Sequence, residues 1–358
     1  MRKMIIRKNK NFVIQKAFTL IELMVVVAII ALLISILLPS LSAARSYAKT
    51  AACNANLHSI GLAVSNYLYG SRGTYPASYL YPEDKDGSWT VATQTDSHDF
   101  GYMHWSYFMY DNGQVGEKAF QCPTMTSGGA PRTNPGPNVN DWEPGQVDQN
   151  SQSSANELTD KQAQRMAYTA NAAIMPRNKF TSALSGGPRS NIFVKEAQVK
   201  RPGGTILIAE FLDNWKAIGI SQNGGVLAKS HRPINPFFHQ GTNFNEYASP
   251  KNTPGFIYGT PSDQQTYGLL PTPEVRDKVN ILDYTSGVPQ INALGRHHPN
   301  PNQIYFKKYG GLTNFLFADT HAESLPILDT MTKRLWGDAY YSLEGENKIL
   351  NMSPLENQ

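Results

Sequence analysis

A chain of 358 residues, 41% hydrophobic and 17% charged, is long enough for one large or two modest domains and too apolar to be disordered throughout. Its formal charge of +4 sits at one end: Arg2, Lys3, Arg7, Lys8, Lys10 and Lys16 precede residue 18 without an acid, and the rest carries 26 basic against 28 acidic residues. A near-neutral body gives no footing for a nucleic-acid partner, and two cysteines, Cys53 and Cys122, rule out a disulfide-rich scaffold or a four-cysteine metal site.

The cationic residues 1–17 run straight into the one long apolar stretch, from Phe18 to Leu38. About twenty such residues cross a ~30 Å hydrocarbon core as a helix. The Lys/Arg excess keeps the N-terminus cytoplasmic and sends everything beyond Leu38 outside. Glu22 interrupts the first turn of this run, although a charge at the bilayer centre costs roughly 2.5–3.5 kcal/mol on insertion scales. A cleaved secretory signal, with Ser40 and Ser42 spaced for a signal peptidase, and a plain anchor both fit the apolar pattern. Neither gives the carboxylate a purpose.

Ala17-Phe18-Thr19-Leu20-Ile21-Glu22 resembles the prepilin cleavage and methylation motif of type IV pilins and type II secretion pseudopilins. The resemblance implies that a prepilin peptidase at the cytoplasmic face cuts between Ala17 and Phe18, methylates the new amine of Phe18 and leaves the apolar helix on the mature chain. Ala17 stands where the family usually has glycine, another small residue. Glu22 is then expected to meet the cationic amine of a neighbouring subunit's Phe18 in a helical bundle, setting axial register.

Pro39 is a natural stop or kink. Beyond it Leu41, Ala44, Ala48, Ala51, Ala52 and Ala55 keep helical spacing, and Leu57, Ile60, Gly61, Val64, Tyr67 and Leu68 form an apolar stripe before Gly70 and Gly73. The pattern predicts one helix over 18–70, its first half (about 20–38) transmembrane and its second half amphipathic.

From residue 71 to 358 the punctuation changes to Gly, Pro, Asn and Asp between short aromatic and β-branched runs, an extracytoplasmic β-rich domain. Residues 89–91 and 104–110 are weak strand candidates, and 127–157 reads as a long exposed loop. Residues 166–171, 205–211 and 314–319 read as strands, 223–302 as loop-rich, and 332–336 as a helical turn. The expected fold is α+β and pilin-like, a long N-terminal helix packed on a loop-rich antiparallel sheet.

Cys53 to Leu57, Phe120-Gln121-Cys122-Pro123, Tyr168 to Asn171, Arg201-Pro202, Arg296-His297 and Phe317-Ala318-Asp319-Thr320-His321 resemble landmarks of large pseudopilin-like proteins abundant in planctomycetes and their relatives. Those proteins often carry Asp-Gly-His near the C-terminus, and Thr320 here takes the place of the glycine. Cys53 and Cys122 pair if the body is exported, or stay reduced as small apolar residues; spacing leaves both open.

Strand alternation sets Asp319 and His321 on one face, within reach of His297 and His298 from a neighbouring strand, a weak metal or acid/base constellation. With no fourth ligand placed, turn capping and surface roles explain them better. Asp84-Lys85-Asp86-Gly87 is too sparse for calcium and reads as a turn. No phosphate loop, nucleophile elbow or zinc-protease helix is present, so neither an enzyme nor a cofactor is expected. The leading expectation is a pseudopilin or minor pilin of a type II secretion or type IV pilus-like filament, held in the inner membrane through its N-terminal helix. Its partners would be prepilin peptidase and other pilin or pseudopilin subunits. The alternative is a non-assembling, membrane-tethered extracytoplasmic protein that binds a ligand or polysaccharide through its many aromatics.

Overall fold

The computed structural model describes residues 19–94, 99–181, 190–239, 255–259, 267–276, 278–283, 287–300, 307–344 and 349. Ala17 and Phe18 lie outside the described residues, as does the leader before them. The chain divides into two compact units, residues 1–45 and 46–358.

Helix α1 (Leu20–Gly70) runs for 51 residues and passes through Pro39 without ending. A proline removes one backbone bond and crowds the preceding turn, but in so long a run each further residue adds its own bond and the helix propagates. Within the first unit every side chain from Leu20 to Arg45 is exposed, and this helix is long and apolar enough to cross a membrane. Within the second unit, Cys53, Leu57, Ile60, Gly61, Val64 and Leu68 are buried at spacings of three and four, which puts one face into the body's core. The helix closes where Gly73 N donates to Leu68 O at 2.7 Å, with Arg72 and Gly73 both at positive φ.

Strands β1 (Tyr79–Leu80) and β2 (Met103–His104) pair antiparallel, and α2 (Trp105–Tyr110) follows at once. The aromatic run at 104–110 is therefore a helix rather than a strand. His104 Nδ1 accepts from Ser106 N at the helix start, and the residues that bury are Trp105, Ser106 and Met109, a helical face. Residues 89–91 form no strand; Trp89 instead rests against Phe193, ring centroids 6.1 Å apart.

The segment 127–157 is exposed only in part. It contains β3 (Ala130–Pro131) and β4 (Gln146–Val147), and Thr133 and Asn134 between them are fully buried. The anchor is Asp160, whose Oδ1 accepts from Tyr102 N at 2.8 Å and Asn134 Nδ2 at 2.6 Å while Oδ2 accepts from Asn134 N at 2.8 Å. Strand β3 pairs with β5 (Arg165–Met166).

The centre of the body is a four-stranded antiparallel sheet. It uses β6 (Tyr168–Ala170) and β7 (Ile206–Glu210). Among the described residues of 223–302 are three short strands: β9 (Gly225–Leu227), which pairs with β4 and with β8 (Ile220–Gln222), and the pair β10 (Phe238–His239) and β11 (Phe256–Ile257). Short helical turns Thr272–Arg276 and Gln290–Ala293 follow. The sheet is completed by β12 (Thr313–Phe317) and β13 (Ala322–Leu325), in the order β13-β12-β7-β6, with Thr169 opposite Ala209, Leu316 opposite Ile208 and Phe315 opposite Glu323. Every residue of β7 and β12 is buried. A strand covered on both faces reads as a continuous apolar run, which is why these two are the plainest strands in the sequence. Helix Ile327–Thr332 runs into a turn over 333–336, where a helical turn was expected at 332–336; it leaves Trp336 fully buried, its Nε1 donating to Thr330 Oγ1 at 2.9 Å.

Candidate functional site

The first helical turn is closed by its own side chains. Thr19 Oγ1 accepts from Glu22 N at 3.2 Å, and Glu22 Oε2 accepts from Thr19 N at 2.9 Å and from Thr19 Oγ1 at 2.9 Å. Thr-Leu-Ile-Glu is thus a capping box, which satisfies two of the donors that a helix start leaves orphaned. The carboxylate has a partner inside its own chain, a role that the sequence reading of Glu22 missed. Both bonds fall on Oε2.

Asp319 and His321 do come together, though not through strand alternation. They sit in the turn joining β12 to β13, where Asp319 Oδ1 accepts from His321 N at 3.2 Å and lies 2.6 Å from His321 Nδ1. The His321 ring stacks on Phe317 at 4.2 Å. Both are partly exposed. No set of three donors forms around them among the described residues; His297 belongs to a different cluster. Thr320, between them, has φ 76°, so a threonine holds the left-handed conformation that glycine would take without strain.

The second cluster lies deep in the body. Cys53 of α1 and Cys122 form a disulfide across 69 residues of sequence. Glu210, the last residue of β7, places Oε2 2.7 Å from His298 Nε2 and 3.8 Å from His297 Nε2 and accepts from Asn314 N at 3.0 Å. Asn314 Nδ2 is 2.9 Å from His298 Nε2, while His298 Nδ1 meets Thr50 Oγ1 at 3.0 Å. Cys122 Sγ is 4.0 Å from Nε2 of both histidines and 2.7 Å from Thr124 Oγ1. Cys53, Cys122, Glu210 and His298 are all fully buried. Burial pushes the Glu210 carboxyl toward protonation, but the two histidines beside it overcome this and bring its pKa down to about 2. Within this cluster two buried atoms, Glu210 Oε1 and His297 Nδ1, have no hydrogen-bond partner among the described residues.

A family profile described as the prokaryotic N-terminal methylation motif matches residues 14–38. The N-terminal segment is type IV pilin-like. No curated protein and no solved structure matches it. The motif and the apolar helix mark a membrane-anchored protein, and the body of this pilin-like chain lies beyond the matched residues.

The residues missed in the body are Thr50, Glu210 and Asn314; His298 was singled out with His297, but for a place beside Asp319. One local signal was present. Glu210 is an acid at the end of the most apolar strand, and a carboxylate drawn into a core by such a run needs partners there.

Proposed function

We propose that this pilin-like chain is cut by prepilin peptidase between Ala17 and Phe18 and methylated on Phe18. It then serves as a non-catalytic structural subunit of a type II secretion or type IV pilus-like filament. The observation that carries this reading is the joining of a methylation motif at 14–38 to a helix of 51 residues. The large apolar residues from Leu20 to Leu41 are exposed. Such a surface needs lipid before assembly and the equivalent helices of other subunits afterwards, because apolar area left in water costs about 25 cal/mol per Å². In this reading the N-terminus stays in the cytoplasm, the helix crosses the inner membrane and the body is displayed on the far side. The body's size suits a minor subunit as well as a pseudopilin.

The test is the N-terminus of the mature protein, isolated from membranes of cells with and without prepilin peptidase and read by mass spectrometry. We expect N-methylated Phe18 as the first residue, and the uncut leader when the peptidase is missing. A mature chain that begins after Ser42 would sink the filament reading, since the assembly helix would have been removed.

A further inference from the structure

We infer that the cluster around Cys53 and Cys122 is a latent site for a thiophilic divalent metal such as zinc, closed while the two sulfurs are bonded and opened when they are reduced. Four donor atoms, Sγ of Cys53 and Cys122, one carboxylate oxygen of Glu210 and one ring nitrogen of His298, lie within 4.8 Å of one another. Zinc binds sulfur at about 2.3 Å and nitrogen or carboxylate oxygen at about 2.0 Å in a tetrahedron, so its ligands stand roughly 3.3–3.8 Å apart. The donors therefore converge already, and the main movement required is the parting of the two sulfurs.

The surroundings are also those of a ligand set. His298 Nδ1 is held by Thr50 Oγ1 at 3.0 Å, which turns Nε2 toward the sulfurs and the carboxylate, and such a bond on the far nitrogen is how metal-binding imidazoles are oriented. Glu210 Oε1 is fully buried and accepts no hydrogen bond among the described residues. A buried carboxylate oxygen without a donor is costly, and a cation would satisfy it. The donors come from four separate parts of the body: α1, the segment after Phe120, the end of β7 and the approach to β12.

The opening step is thiol–disulfide exchange. A dithiol reductant gives up two electrons and two protons, becomes a cyclic disulfide and leaves two thiols on the protein. Metal binding then displaces both thiol protons to solvent. The pairing thus selects between two cross-links of the same place, one covalent and one through a metal.

The full chain in detergent is reduced with a phosphine in urea, where the phosphine takes an oxygen from water as the disulfide takes up two electrons and two protons. It is then refolded by dilution with and without cobalt(II) or zinc(II). The reduced chain should bind one cobalt with the visible absorption and sulfur-to-metal charge transfer of a tetrahedral thiolate site. His298→Ala and Glu210→Gln should each weaken that binding at least tenfold, and the oxidised chain should bind at least a hundredfold more weakly. If reduction unfolds the body, zinc should restore its circular dichroism. A reduced chain that takes up no cobalt, one that zinc does not refold, or one bound equally well after His298→Ala would overturn the proposal. N-terminal processing is read separately, so the failure of one reading leaves the other standing.

Discussion

Thr320 is held at φ 76°, where a β-branched side chain is strained by on the order of 1–3 kcal/mol. The turn keeps its shape because Thr320 N donates to Phe317 O at 2.9 Å and Phe317 N to His321 O at 2.9 Å. Replacing Thr320 with glycine should raise stability by about 1 kcal/mol once glycine's extra unfolded-state entropy is subtracted, seen as a higher urea midpoint. Asp160 makes the opposite kind of demand. Burial raises its pKa from 3.8 to about 6 in spite of the donors from Asn134 and Tyr102. The unfolded chain therefore loses this proton first as pH rises, and the folded chain holds it longer. Stability attributable to Asp160 is full below pH 4 and declines up to about pH 6, by roughly 3 kcal/mol at most. Asp160→Asn should cost about 1–3 kcal/mol below pH 4, because an amide nitrogen then faces the Asn134 N–H, and since the variant lacks the slope between pH 4 and 6 that cost should shrink across the same window by up to roughly 3 kcal/mol. Urea titrations of both proteins at half-unit pH steps measure this; an unchanged slope would place the titration elsewhere.

At the scale of elements, the contact between the second half of α1 and the β12–β13 hairpin depends on a missing side chain. A Cβ on Gly61 would lie 3.0 Å from Leu316 Cδ1 and 3.1 Å from Thr320 Cβ. Alanine gains about 1 kcal/mol of helix propensity over glycine, but here it would press on the hairpin, so Gly61→Ala alone should be destabilising or neutral. In the Thr320→Gly background the nearer obstacle on the turn is gone and the same substitution should be stabilising, a coupling of at least 0.5 kcal/mol in a double-mutant cycle. Strict additivity would mean that helix and hairpin are not in the close contact described. Elements of this kind were legible to different degrees. Helix α1 is written in one continuous local pattern, and β7 and β12 in apolar runs that need no partner to be recognised. The helix at Trp105–Tyr110 was hidden, because aromatic residues favour strands in isolation and only the His104 cap and the buried face of Trp105 and Met109 decide otherwise. The buried segment near 130–136 was hidden too, since its anchor, Asp160, lies 26 residues from Asn134.

For the molecule as a whole, the N-terminal half of the story was readable and the interior of the body was not. A processing motif is read as a linear string, whereas Glu210 and His298 are 88 residues apart and the two cysteines 69, and only the sheet and α1 bring them together. Glu22 joins the two halves, because it now has a local duty and a proposed intermolecular one. Within one chain its carboxylate caps α1 through Thr19. In a filament its charge would answer the methylated amine of a neighbouring Phe18. Glu22→Leu removes both functions together and cannot separate them. Glu22→Gln can, since glutamine at the same place completes a capping box as well as glutamate does, yet it carries no charge. The glutamine chain should therefore insert, be cut before Phe18 and keep its helix as measured by circular dichroism in detergent. It should assemble at least tenfold less than the parent chain in a sheared-filament assay, because losing a desolvated charge partner leaves the neighbour's amine uncompensated at a cost of about 3–5 kcal/mol. Assembly at the parental level would show that capping is the whole of what Glu22 does, and that subunit register is set by the apolar residues after it.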